Sequence, residues 1–188
     1  MEKYAADFIP NFSTAKSPQQ MLGVMAKTYF AQKMGIDPAK MYVVSIMPCT
    51  AKKYEITRSE EMHASGYQDV DVVLTTRELA RMIKIAGIDF NALPETEADS
   101  ILGEYTGAGT LFGATGGVME AALRTAYHLV TKEELANLDF EAVRGLDGVK
   151  EAVVDIKGTK VSVAVAHQMG NVEQVLDAIR EDRKAGRP

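Results

Sequence analysis

Two short apolar runs, each leading into a turn or helix signal, set the narrowest limit on what this chain can fold into. "MYVVSIM", residues 41–47, is a nearly continuous run of strand-forming residues, which predicts a buried, parallel strand. "VDVVLTT", residues 70–76, predicts a second strand. Thr75 to Glu78 has the spacing of a capping box. Leu79, Met82, Ile83 and Ala86 then fall on one helical face, and Gly87 is placed to close that helix. Parallel neighbours need a crossover between them, so strand and helix signals in alternation predict an α/β fold.

The remaining signals fit that class. Ser17, Pro18, Gln19 and Gln20 open a helix, with Ser as N-cap and Pro in the first turn. Met21, Leu22, Met25 and Tyr29 follow at helical spacing, Gly35 can end the helix, and Asp37-Pro38 is a turn. Residues 56–68 read as irregular and 94–100 as an acidic loop. A glycine-rich stretch from 103 runs into a helix carrying Val118, Met119, Ala122, Leu123, Ala126 and Tyr127. "EAVVDI" and "KVSVAVA" form a strand pair joined at Lys157, Gly158 and Thr159. A last helix carries Val172, Val175, Leu176 and Ile179, with Asn171 as its N-cap. No repeat or long linker interrupts the chain. The expected architecture is α/β, a mostly parallel sheet flanked by helices with a small antiparallel strand pair near the C-terminus.

Composition narrows the function classes. With 188 residues, 46% hydrophobic and 25% charged, the chain can bury a core. Its net charge of -5 and lack of a basic cluster argue against nucleic acid. Arg180, Arg183, Lys184 and Arg187 alternate with acids and read as a solvated helix end. No apolar run reaches the length of a membrane span, and the N-terminus is not a signal peptide. One cysteine cannot form an internal disulfide, so a reducing cytoplasm is the default. Ten methionines and no tryptophan suggest an adaptable core with Met fillers.

That cysteine, Cys49, sits in "SIMPCTAKKYE", just beyond the carboxyl end of the first strand, where open α/β sheets place ligands. A lone cysteine is usually a small buried hydrophobe. Here Lys52 and Lys53 are near enough to favour a thiolate, so a nucleophile or a metal ligand are both open. A nucleophile needs a base, and His63, His128 and His167 lack a partner motif, His167 at a strand end being the best placed. An iron–sulfur cluster needs four thiolates and zinc four ligands; one Cys and three scattered His build neither alone. The glycines of 103–117 suggest either phosphate binding or close backbone approach. The spacing breaks the dinucleotide fingerprint and no Walker lysine is present, which favours close approach.

"MPCTAKKYE" resembles the second signature motif of the iron-only ([FeFe]) hydrogenases, MPCxxKxxE, with Met47, Pro48, Cys49, Lys52 and Glu55 all matching. "NFSTAKSPQQMLG", "DVDVVLTTRELARMI" and "GEYTGAGTLFGATGGVMEAALR" are also similar to that family's catalytic domain, in the expected order. The resemblance covers essentially the whole chain. It implies that residues 1–188 are the middle of that domain, between a TSCCPxW motif upstream and an ExMACxGGC motif downstream. It further implies an H-cluster, a [4Fe-4S] cubane joined to a di-iron unit with CO and CN ligands, in the parent protein. Cys49 would be one cubane ligand and Lys52 a donor to a cyanide. Met47 would pack on the di-iron unit, and Glu55 would support the loop. Phe112 would be a pocket aromatic flanked by Gly109 and Gly113, Ser13 a proton-relay hydroxyl, and Gln19 a supporting amide. Hydrogen and protons would be the substrates, and a ferredoxin-like or other electron carrier the partner. The parent would be cytoplasmic, with periplasmic export an alternative. The chain by itself is expected to be inactive, to hold no cluster, and to present surface that favours a non-native dimer. Two other readings stay open: a noncatalytic iron–sulfur assembly relative, and an unrelated α/β enzyme with Cys49 as nucleophile.

Overall fold

The structure, a computed structural model, describes residues 2–104, 106–136, 141–142 and 148–187. It divides into a middle unit, Asn11–Glu104, and an outer unit of Met1–Pro10 with Tyr105–Pro188.

In the middle unit, α1 (Pro18–Met25) starts with Pro at its first turn after Ser17. It passes through a π-turn (Ala26–Phe30) into α2 (Ala31–Met34), where Gly35, at φ 66°, ends the helix in the left-handed region. The buried face of this helix is not the apolar one. Met21, Leu22, Met25 and Tyr29 stay 42–57% exposed, whereas Gln19, Gln20, Gly23, Lys27 and Ala31 are buried. The Met-filled core expected from composition is therefore not formed here. The reason lies in the segment the helix packs on. The Lys27 ammonium donates to both oxygens of Asp71, at 2.8 and 2.7 Å, and to the Gln68 carbonyl at 2.6 Å. Gly23 lets the helix approach that segment closely, since a Cβ there would lie 2.5 Å from the Asp69 carbonyl oxygen. Asp69 is itself fully buried, bonded by Lys16 at 2.9 Å and by the Ala64 N–H at 2.9 Å. Charged pairs with their remaining hydrogen bonds satisfied can occupy an interior that lone charges cannot.

Strand β1 (Val44–Met47) leads into α3 (Ala51–Glu55), and β2 (Val72–Thr75) leads into α4 (Thr76–Ile85). The strands pair in parallel from Val44↔Val72 to Met47↔Thr75. Ile56, Val70 and Val73 form the core, with Val43 and Met47 packed against it. Each such burial contributes about 1.5–3 kcal/mol. The expectation of a buried first strand is not met: Ser45 and Met47 are half-buried on one face, and the other face is open. Val44 and Ile46 are 45% and 41% exposed, because two strands with one covered face leave alternate residues in solvent. The capping box of α4 forms as its spacing predicts: Thr75 Oγ1 accepts from the Glu78 N–H, and Glu78 Oε2 accepts from the Thr75 N–H. Gly87, also at positive φ, follows the helix.

In the outer unit, α5 (Gly107–Phe112) and α6 (Gly117–Thr131) meet at a tight corner. Strands β3 (Glu141–Ala142), β4 (Val149–Ile156) and β5 (Thr159–Ala166) form an antiparallel sheet in that order. Asp155 accepts from the Gly158 N–H at 2.7 Å in the β4–β5 turn. Helix α7 (Met169–Lys184) begins after Gln168, not after Asn171. Asn171 lies inside the first turn and donates its side-chain amide back to the His167 carbonyl at 2.6 Å. The basic end of α7 is also more engaged than its sequence suggests. Arg180 bonds both Asp7 oxygens at 2.9 and 2.7 Å, and the Arg180 and Arg183 guanidinium groups stack on the buried Phe8 ring. The fold is thus α/β, a two-stranded parallel sheet and a separate antiparallel sheet flanked by helices, the antiparallel one being the larger among the described residues.

Candidate functional site

The carboxyl end of β1 collects most of the singled-out side chains. Pro48 and Cys49 leave the strand after Met47, Thr50 starts α3, and one turn of that helix then presents Lys52 and Glu55. Cys49 is exposed and its sulfur is free. The Lys52 ammonium sits 2.6 Å from Glu55 Oε2. Partial burial pushes the Glu55 carboxyl up, but the bonded Lys52 ammonium, the facing Ser17 hydroxyl and the charge of Arg58 outweigh it and hold the group below its ordinary range. Glu55 is therefore ionised at neutral pH.

Gln19 ties this turn to the rest of the middle unit. It is buried, accepts from the Ser45 hydroxyl at 2.8 Å, and donates to the Lys52 carbonyl at 3.4 Å. One amide thus links α1, β1 and α3. Ser45 escaped sequence reasoning, although a hydroxyl inside an apolar strand was a usable signal. Lys53 was expected beside the thiol, but it bonds Glu78 Oε1 at 2.8 Å, joining α3 to the capping box of α4. That ammonium and the box's backbone donor lower the Glu78 carboxyl to about 2. Both lysines next to Cys49 thus have carboxylate partners, which weakens the case for a thiolate activated by lysine alone.

The other predicted residues lie elsewhere. Ser13 is exposed and accepts from the Ala15 N–H at 3.1 Å, a local turn. Gly109 and Phe112 belong to α5 and Gly113 follows it, all in the outer unit. No hydrogen bond joins Cys49 to a histidine, and no three His, Cys, Asp or Glu converge on a metal position among the described residues. The thiol chemistry suits iron and sulfide, but these 188 residues offer one thiolate of the four that a cubane takes. Close approach is met only at the end of the glycine-rich stretch: Gly116 faces the Val165 side chain and the buried Gly117 the Leu111 carbonyl, whereas Gly103 and Gly107 have open space around them.

This arrangement has counterparts. The family described as "Iron only hydrogenase large subunit, C-terminal domain" matches residues 1–187. The chain belongs to that family. It is 56% identical over 186 residues to the periplasmic [Fe] hydrogenase large subunit of Nitratidesulfovibrio vulgaris, covering 99% of this chain and 43% of that protein. Protein NAR1 of Arabidopsis thaliana is 31% identical over 193 residues, covering 95% of this chain and 40% of its own length. An apo [FeFe]-hydrogenase from Chlamydomonas reinhardtii superposes with a TM-score of 0.75 at 39% identity, covering 96% of this chain and 52% of that one. The chain spans about half or less of the relatives it matches.

Proposed function

We propose that this chain is a segment of an [FeFe]-hydrogenase catalytic domain, working in the reversible conversion of hydrogen to protons and electrons. One observation carries the reading: the Met47-Pro48-Cys49 turn puts an exposed thiol at the end of β1, one helical turn from an ammonium whose backbone is fixed by a buried amide. Cys49 would supply one cubane thiolate, and the other three would come from outside these residues. A bound H-cluster would supply the metal at which hydrogen is split. Lys52 offers a charge-assisted donor to an anionic ligand such as cyanide, and Glu55 aims that ammonium. Met47 ends β1 and packs against the core, and Gln19 ties the turn to α1 and β1. Ser13, able to donate and accept, would pass protons. An electron carrier would be the partner, in the cytoplasm or, as the name of the Nitratidesulfovibrio relative states, the periplasm. The higher identity to that hydrogenase than to NAR1 supports catalysis over an assembly role.

The test is a chimaera of the Nitratidesulfovibrio hydrogenase in which this chain replaces the aligned segment. We expect the matured chimaera to take up hydrogen, and its Lys52→Gln variant to lose activity by roughly 100-fold or more, as for loss of a charged stabilising donor. The 188-residue chain alone, reconstituted with iron and sulfide, should hold no stable cubane. A folded, cluster-loaded chimaera without turnover, or a stoichiometric cubane on the lone chain, would contradict the reading.

A further inference from the structure

Ser45 is the one polar residue of β1, in the run Val44-Ser45-Ile46-Met47. It shares the half-buried face of the strand with Met47 and pairs with the buried Val73 of β2. A β-branched apolar residue would suit that place better, and a hydroxyl there is costly unless it is hydrogen-bonded. It donates to Gln19 Oε1 at 2.8 Å, from the strand to the first turn of α1.

The amide of Gln19 is buried and has two ends to satisfy. Ser45 takes the oxygen, and the nitrogen donates to the Lys52 carbonyl at 3.4 Å. The second bond is long and holds the amide weakly by itself, so the short bond from Ser45 is the anchor. Helix α3, Ala51–Glu55, is a little over one turn, too short to be stable without ties to its surroundings. Its tie through Lys53 and Glu78 is an ion pair with both side chains about 40% exposed, which contributes little. The tie through Gln19 is buried, and Ser45 stands at its root.

We infer that Ser45 is a positioning residue: through Gln19 its hydroxyl holds the backbone of Lys52, and with it the place from which the Lys52 ammonium reaches its acceptor. That the acceptor is a cyanide ligand rests on the proposed hydrogenase reading; that Ser45 and Gln19 hold Lys52 as one unit rests on the hydrogen bonds alone.

The experiment compares Ser45→Val with Ser45→Thr, two β-branched replacements of one shape that differ in the hydroxyl. In the matured chimaera, infrared cyanide bands are read beside hydrogen uptake and iron content. At unchanged iron content, Ser45→Val is expected to move a cyanide band in the direction that Lys52→Gln moves it and to lower uptake about tenfold, as for a lost buried hydrogen bond. Ser45→Thr, which gives the hydroxyl back, should restore both. In a Gln19→Leu background Ser45→Val should add nothing, because its partner is already gone. On the chain itself, without cofactor, Ser45→Val should speed hydrogen exchange at the α3 amides several-fold and Ser45→Thr should not. The inference is overturned if Ser45→Val leaves the cyanide bands and α3 exchange as in the parent, if threonine disturbs them as much as valine, or if the full effect of valine survives in the Gln19→Leu background. Exchange is read without turnover, so the two readings fail separately. An active chimaera whose α3 exchange ignores the hydroxyl would sink this inference alone. An inactive, cluster-loaded chimaera with hydroxyl-dependent exchange would sink the proposed function and leave the hold of Ser45 on Lys52 standing.

Discussion

Replacing Gly117 with alanine is expected to destabilise the chain by about 3 kcal/mol or more, the upper range for forcing atoms into a packed site. The added Cβ would overlap the carbonyl oxygen of Leu111, and that residue's carbonyl carbon and the Phe112 nitrogen are close behind it. These are backbone atoms at the end of α5, so no side chain can rotate away. Alanine's helix propensity offsets only about 1 kcal/mol of that cost. Gly107→Ala is the control: it sits at the start of α5 with nothing within 4 Å of a new Cβ, and should be neutral. Urea unfolding of both variants decides the matter. A Gly117→Ala midpoint equal to that of the parent would mean the α5–α6 corner is looser than described.

The second large effect is expected at Lys27. Its side chain is 1% exposed and that of Asp71 19%, and Asp71 also accepts from the Val43 N–H at 2.6 Å. Lys27→Met keeps the volume and removes the charge, leaving a largely buried carboxylate without its cation, at a cost of about 3–5 kcal/mol. Adding Asp71→Asn should recover most of that loss, because the amide oxygen can still accept from Val43 while no charge is stranded. Urea midpoints for the two single variants and the double would measure the coupling directly. If Lys27→Met alone costs less than about 1 kcal/mol, the pair is solvated and the π-turn after α1 does not bury its lysine as described.

Local chemistry was legible wherever one element determines it. The Thr75–Glu78 box, the Gly35 and Gly87 helix ends and the β4–β5 turn depend on residues within four positions of each other, and each follows its sequence. What could not be read was which face of a helix turns inward. The spacing of Met21, Leu22, Met25 and Tyr29 promised an apolar contact, but the partners that decide it, Gln68 to Val70 and Asp71, lie some forty residues on. The site divides the same way. Cys49, Lys52 and Glu55 lie within one short turn and were visible as a motif, as was Gln19 as a supporting amide. Ser45, which receives no hint from its neighbours beyond being polar, completes the network only through the fold. Lys53 looked equivalent to Lys52 until the structure gave it Glu78.

The central claim, that Cys49 is a cluster thiolate, is tested most directly by Cys49→Ala in the chimaera with the Nitratidesulfovibrio hydrogenase, read by iron content and cubane absorption and by electron paramagnetic resonance. The account predicts a folded protein that has lost the H-cluster's cubane and, with it, hydrogen uptake. Retention of that cubane at the parent's occupancy would contradict it and would leave the exposed thiol at the end of β1 without a role in metal binding.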